Sequence, residues 1–564
     1  MRPMRVFGCL VVLLLASVTN AQYSSDPSVN MVVGDGLSDQ TQPQIAPTLD
    51  GGCYISWFDG LANGYDVRVQ KLDVTGKEVF AHNGVLVANL GLSSTTDYGL
   101  DVDAYGNALL TFQDDRSGGL QISAAKVSPA GVLLWGASGV QLTNTTDFVA
   151  SPEVAGTSDG GVVVAWIQES TTRVQKLGAG GAPLWGTGLT LSPATGSYLL
   201  SDMHPSGADV ILSIVHQTGG FYSPKHLVAH KLDPDGGFLW GTTPVAVFDG
   251  GSLQFGNYPE FVTDGSGGAV FSWYDTSSLA LQCYAQRILA NGTEAFPHNG
   301  TAVSTHAARV RVSPWASFNP ATNETFVFWE EESSDQAQSG LYGQKLDAAG
   351  TRQWTNDGVA IVSVGAADVM GARCVVEGTG VFAFWLRSLA YGQDVLYGAR
   401  VTNAGVVDIP PFYVASTVSA KSLPETARSV AGYAVVAWKD GRTDDGDVYA
   451  QNVNPDGTLG IAGAGVPGND IASPGLWLAS PRPNPTNGVA AIEYFVPAPG
   501  QAQVEIYDVR GRVVRALALA PEAGSGSVTW DGRDATGAPV ASGVYFVRLK
   551  AGERILERKA VLLR

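Results

Sequence analysis

Charge is what this chain has least of. Only 15% of its 564 residues are Asp, Glu, Lys or Arg, and the balance is −18. That excludes the basic surface on which nucleic-acid binding depends. Cysteine is nearly absent as well. Of four, Cys9 lies in the N-terminal apolar run, which leaves Cys53, Cys283 and Cys374. Three thiols at non-equivalent places argue against a disulfide scaffold and for buried, inert side chains. The seven histidines are scattered, no Cys/His cluster has zinc spacing, and no Gly-x-Ser-x-Gly elbow occurs. No stretch repeats at helical period, and no apolar run is long enough to cross a bilayer. What is abundant is glycine, 69 residues of it, which points to a turn-rich all-β protein.

The glycines are not randomly placed. A basic residue recurs at Lys71, Lys126, Lys176, Lys231, Arg287, Lys345 and Arg400, with Asn452 in the eighth copy. Five residues on stands a glycine each time, from Gly76 to Gly457. Nine residues on stands a large apolar residue: Phe80, Trp135, Trp185, Trp240, Phe296, Trp354, Ile409 and Ile461. Turns such as Asp233-Pro234-Asp235-Gly236 combine a short polar residue, a proline with preset φ, and a glycine that tolerates φ > 0. They predict hairpins, with the aromatic at constant height on the following strand, where it packs between repeats.

The fifth copy shows the unit: strands over 260–263, 269–273 and 282–288, and a fourth opening at Thr293. Four antiparallel strands per unit of about 54 residues predict a β-propeller blade. Trp57, Phe112, Trp166, Trp273, Trp329, Trp385 and Trp438 keep the second-strand register, and the fourth copy is degenerate around Ile214. Eight copies predict eight blades over residues 22–461, or seven if the fourth fails to form. The last unit lacks a clear fourth strand, which Met31-Val32-Val33 could supply. The Asp-x-x-Gly-x-x-x-Trp spacing resembles the tryptophan-docking motif of eight-bladed quinoprotein dehydrogenases, and the likeness covers that turn alone. Those enzymes use a quinone cofactor, calcium and often a vicinal cysteine pair, and no Cys-Cys occurs here. The resemblance therefore implies shared packing and not shared chemistry, with no cofactor expected beyond a candidate calcium.

Both ends read differently. Arg2 and Arg5 precede the apolar run 6–16, and Thr19 and Ala21 suit cleavage before Gln22, so residues 1–21 read as a signal peptide and the mature chain as soluble. Residues 462–478 are rich in Gly, Ala and Pro and read as a linker. The charge then changes sign. Residues 475–564 carry +3, and once the two signal arginines are set aside residues 22–474 carry −23 of the total. Strand alternation and turn glycines over 479–564 predict a small Ig-like β-sandwich. Ser480-Pro481-Arg482-Pro483-Asn484-Pro485, Val504-Glu505-Ile506-Tyr507-Asp508, Trp530-Asp531-Gly532 and Gly543-Val544-Tyr545 resemble bacterial type IX secretion sorting domains, and equally the Ig-like domain of FlgD-type hook-capping proteins. The sorting resemblance implies the type IX machinery as partner, passage through the periplasm, and a secreted or cell-surface destination.

For a site, the second-to-third-strand loops vary from 10 residues (Trp166 to Lys176) to 16 (Trp329 to Lys345), and variable loops are where binding concentrates. Two residues past the second-strand aromatic come Asp59, Asp114, Asp275, Glu331 and Asp440, a partial ring of carboxylates that could hold a cation or polar ligand. Asp440, Asp444, Asp445 and Asp447 form the densest acidic loop, a calcium candidate without EF-hand spacing. Against this, residues that recur with the repeat are better read as caps of their own loops. Two functions follow: a monomeric adhesion or binding propeller for a glycan or protein, or a secreted hydrolase acting on polysaccharide. Unlike carboxylates converging in a central pocket would favour the enzyme; repeat-symmetric side chains on a shallow face would favour the binder.

Overall fold

The computed structural model describes residues 22–461 except 62–63, 92–97, 278–280 and 366–367, together with 477–478, 481, 484–496, 502–519, 524–551 and 554–563. Residues 1–21, read as a signal peptide, and most of residues 462–478, read as a linker, lie outside the described residues. The chain divides into two compact units, Met1–Ala462 and Gly463–Arg564.

The first unit is an eight-bladed propeller. Blades 1 to 7 are four-stranded antiparallel sheets over 40–88, 99–141, 149–191, 197–248, 261–302, 309–365 and 368–419. Blade 8 takes three strands from 421–453 and its fourth from Met31–Gly34. The fourth copy thus forms a full blade, with Ile214 fully buried in place of the aromatic. First strands of successive blades touch all the way round, blade 8 against blade 1 included. Between the blades lies the core, which holds Trp57, Trp273, Trp329, Trp385 and Trp438 at 1% exposure or less.

The turn glycines have two roles. Gly131, Gly181, Gly236 and Gly292 sit at φ between 80° and 86°, and each lies under a ring from the preceding blade: Phe80, Trp135, Trp185 and Trp240. A Cβ at Gly292 would come within 2.9 Å of Trp240, and one at Gly350 within 2.6 Å of Phe296. The indole N–H groups of Trp135, Trp185, Trp240 and Trp354 donate to Ala179, Pro234, Ala290 and Asn403 carbonyls of the next blade at 2.9–3.2 Å. At the seam, the ring over Gly76 of blade 1 is Tyr23 from the N-terminus, in the place expected for Ile461. The recurring basic residues pair with acids of their own blade, as in Lys71–Asp50 at 2.6 Å and Arg287–Asp264 at 2.7 Å. Trp240, 9% exposed, is the deepest docking indole. Trp240→Ala is expected to cost about 3–5 kcal/mol, and the half-buried Trp135 less. A urea midpoint unchanged from that of an exposed Ser→Ala control would remove the docking role.

The second unit is a β-sandwich. Trp477–Leu478, Ala490–Val496 and Gly524–Trp530 form one sheet. Val513–Ala518, Ala502–Asp508, Gly543–Ala551 and Arg554–Leu562 form the other. Ile492, Trp530, Ile506, Val547 and Leu562 close one core between them.

Candidate axial site

Chemistry gathers where the first strands meet. In six blades the first strand carries one extra residue relative to its neighbour, between Thr41 and Gln44, Ala150 and Glu153, Leu200 and Asp202, Val312 and Trp315, Met370 and Arg373, and Ser422 and Glu425. Such a bulge bends the strand and re-aims the side chain that follows. Gln42, Ser151 and Ser313, each directly before a proline, hold φ of 52°, 44° and 51°, a conformation the proline disfavours. In blade 5 the strand starts only at Phe261, so Glu260 follows Pro259 at the equivalent point. The eight equivalent residues are Gln44, Gly99, Glu153, Asp202, Glu260, Trp315, Arg373 and Glu425. Three of them are glutamate, and the other five differ from these and from one another.

Several of them meet. Arg373 Nη2 donates to Glu425 Oε1 at 2.9 Å, and its guanidinium carbon lies 3.9 Å from the Trp315 ring centroid. Asp202 Oδ2 accepts from the Phe261 N–H at 2.9 Å and faces His204 Nε2 at 3.1 Å. Glu330 Oε1 accepts from the Gly371 N–H at 2.8 Å. Glu260 is exposed to solvent on one side and has Glu425, Arg373, Asp202 and His204 near it. Desolvation by the surrounding protein, followed by the Glu425 carboxylate three blades away, pushes its pKa up to about 8 against the pull of Arg373 and His204. Burial alone would lower His204, but Asp202, Asp101 and Glu260 raise it to about 9. Burial likewise lifts Glu330 to about 7 and Asp101 to about 6. A cavity of about 180 Å³ opens here, walled by Tyr258, Glu260, Tyr274, Trp315 and Arg373. Val262, Trp315 and Ala316 also line a more apolar cavity of about 440 Å³ that reaches the turns Asn319–Ala321 and Gly378.

The carboxylates singled out from the repeat are placed elsewhere and are engaged. Asp59 binds Arg68 at 2.5 Å and Gln40 at 2.8 Å. Asp114 binds Arg116 and Ser123, both at 2.6 Å. Asp275 accepts from the backbone of Ser252 and Ser277 at 3.1 and 2.8 Å. Glu331 holds Arg311 at 3.1 Å and the Trp329 indole at 2.6 Å. Asp440 holds Lys421, Arg442 and the Trp438 indole. Asp444 caps the Gly446 N–H, Asp445 is exposed, and Asp447 is buried with its pKa lifted to about 6. Among the described residues no three His, Cys, Asp or Glu side chains are grouped to hold a metal. The axial residues were missed, although Pro43, Pro152, Pro259, Pro314 and Pro424 recur and are followed by Gln44, Glu153, Glu260, Trp315 and Glu425.

The axial charges set a pH dependence of stability. Glu260, Glu330 and His204 each bind a proton more tightly in the fold than in the unfolded chain, where Glu titrates near 4.5 and His near 6.5. Such groups give full stability at low pH and lose it as pH climbs, for Glu260 from 4.5 to 8 and for His204 from 6.5 to 9. His230, lowered to about 4 by burial, acts oppositely below pH 6.5. The unfolding midpoint is therefore expected to peak in mildly acidic buffer and fall towards pH 9. Growing negative charge adds to that fall, so the deciding comparison is Glu260→Gln. Its decline must be shallower than that of the wild type, and equal slopes would refute the assignment.

Comparison with known proteins adds one family. Residues 486–554 match the FlgD Ig-like domain. The FlgD Ig-like segment lies within the β-sandwich unit. No curated protein matches the chain. Among solved structures, the polysaccharide lyase Uly1 is similar at 12% identity and a TM-score of 0.39, over 78% of this chain and 98% of that one. An α-L-arabinanase of Penicillium chrysogenum is similar at 11% identity and 0.32, over 65% and 94%. PorZ, a surface component of the type-IX secretion system of Porphyromonas gingivalis, shows 12% identity and 0.23, over 92% and 81%. Likenesses this distant say nothing of activity. Among the described residues no helix is long and apolar enough to cross a membrane.

Proposed function

We propose that the propeller is an extracellular enzyme that cleaves a neutral polysaccharide at its axis. The observation that carries this is the convergence of unlike groups, Glu260, Glu425, Arg373, Trp315 and the Asp202–His204 pair, at one point of an otherwise regular ring. A carboxyl with a pKa near 8 is protonated at neutral pH and suited to donate to a leaving oxygen. In this reading Glu260 gives its proton to the glycosidic oxygen as the C–O bond breaks. A water attacks the sugar carbon and passes its proton to Glu425, which Arg373 orients. Tyr258, Tyr274 and Trp315 offer flat apolar walls to a sugar ring. The −23 charge of the preceding 22–474 segment argues against polyanionic chains. Reducing-end release from arabinan, xylan, galactan and β-glucan tests the activity. Binding on a glycan array with no release from any polymer would leave the adhesion reading.

The signal-peptide pattern of residues 1–21 and the sandwich support export to the surface or medium, with the C-terminal unit read by the type IX machinery. Truncation after Gly475 is expected to leave a folded propeller in the periplasm of a type IX-competent host, while the full chain leaves the cell. Equal export of both would make the sandwich a plain assembly module.

A further inference from the structure

The face that carries the variable loops bears a fixed group of exposed rings. Phe221 and Tyr222 lie in the second-to-third-strand loop of blade 4, and Phe255 lies in the connector into blade 5. They are 54%, 96% and 59% exposed. Phe221 packs on Phe255 with centroids 4.5 Å apart, and Tyr222 stands 5.1 Å from Phe221. Two of these rings, Phe221 and Phe255, are held in place. Lys225, itself buried, sets its ammonium 5.8 Å from the Phe221 centroid and 5.7 Å from that of Phe255. The same ammonium donates to the Phe221 and Ser223 carbonyls at 2.8 and 3.2 Å. The Leu253 N–H donates to the Lys225 carbonyl at 2.9 Å, which fastens the connector to the blade 4 strand.

The connector then leads inward. Five residues past Phe255 stands Glu260, so the platform and the axial acid are separated by at most roughly 17 Å of chain. Between them Tyr258 walls the axial cavity, and Tyr274 of the same wall donates to Gln254 beside Phe255. A large apolar group that is both solvent-facing and rigidly held is a preorganised contact surface. Among the described residues the cation set against these rings, Lys225, is consumed by backbone carbonyls and ring faces, so what remains on offer is the flat face of each ring. Sugar rings present apolar C–H faces of matching size.

We propose that Phe221, Tyr222 and Phe255 form an outer subsite that stacks a sugar unit of the same neutral polysaccharide chain whose inner end occupies the axial cavity. This rests on the axial site taking a glycan. A chain bound at both places is held by intramolecular linkage, so longer substrates gain affinity that short ones cannot.

Calorimetric titration of the full chain carrying Glu260→Gln, whose turnover is expected to be strongly reduced, tests this. Arabinan, xylan, galactan and β-glucan are the probes, followed by long and short fragments of whichever binds. Adding Phe221→Ala and Phe255→Ala is expected to weaken the long fragment on the order of tenfold or more and to leave the short one within about twofold. Both positions are exposed, so the unfolding midpoint should not move. Equal affinity of the two backgrounds for the long fragment overturns the platform and leaves the axial reading intact. Absence of binding by every polymer removes the axial reading and the platform together. Unchanged glycan affinity with loss of wild-type self-association would assign the rings to a protein contact, which also overturns the proposal.

Discussion

Glu260→Gln will lower polysaccharide turnover by roughly 10²- to 10⁴-fold, the usual share of a positioned general acid, and will leave substrate affinity within a few fold. The amide keeps the size and polarity of the carboxyl and cannot supply a proton. Wild-type activity should also fall as pH rises through about 8, where Glu260 loses its proton, and residual activity of the variant should lack that limb. The groups facing Glu260 are Glu425, Arg373, Asp202 and His204. Of these His204, near 9, keeps its charge across neutral pH and releases it only at the alkaline edge. Retention of more than half the turnover in the variant would move the acid elsewhere.

Removal of residues 22–36 should destabilise the whole ring, although no complete repeat is lost. The segment pairs Met31 with Ala450 and Val32 with Tyr449 across the seam. It also buries Met31, Val33 and Tyr23 at 1%, 0% and 3% exposure. At about 1.5–3 kcal/mol for each large apolar side chain, the loss approaches the entire net stability of a typical domain. Asn30 adds bonds to Val414 at 2.9 Å and Gln451 at 3.2 Å that nothing else can replace. Hydrogen exchange over 435–450 is the readout, and unchanged protection there would refute the closure. Should the deletion prevent folding altogether, Gly34→Leu is the milder probe, because a Cβ at Gly34 would stand 2.8 Å from the Trp57 ring. Its exchange should rise at the seam first.

Much of the scaffold could be read from residues alone, because the docking glycines and aromatics repeat in chain order and each has a local reason to exist. Even the closing strand at Met31-Val32-Val33 was visible as an apolar run without a partner. Tyr23 was not, since it lies outside the repeat and substitutes for Ile461 only in space. The axial residues were hidden for a different reason. A side chain's direction after a bulge depends on one unpaired residue, and strand periodicity does not record that residue. Asp59, Asp114 and Asp440 drew attention because they recur. In the structure each is engaged by an arginine, Arg68, Arg116 or Arg442.

The bulges give the ring a modular aperture. Six blades contribute a side chain to the axis from a point where the first strand has left the regular ladder, while blade 2 offers only Gly99 there and blade 5 places Glu260 just ahead of its strand. Exchanging Gln44, Glu153 or Glu425 therefore rewrites what the bore presents to a ligand and leaves docking rings and buried indoles untouched. Six slots of this kind make the axis a customisable die set in a standard frame.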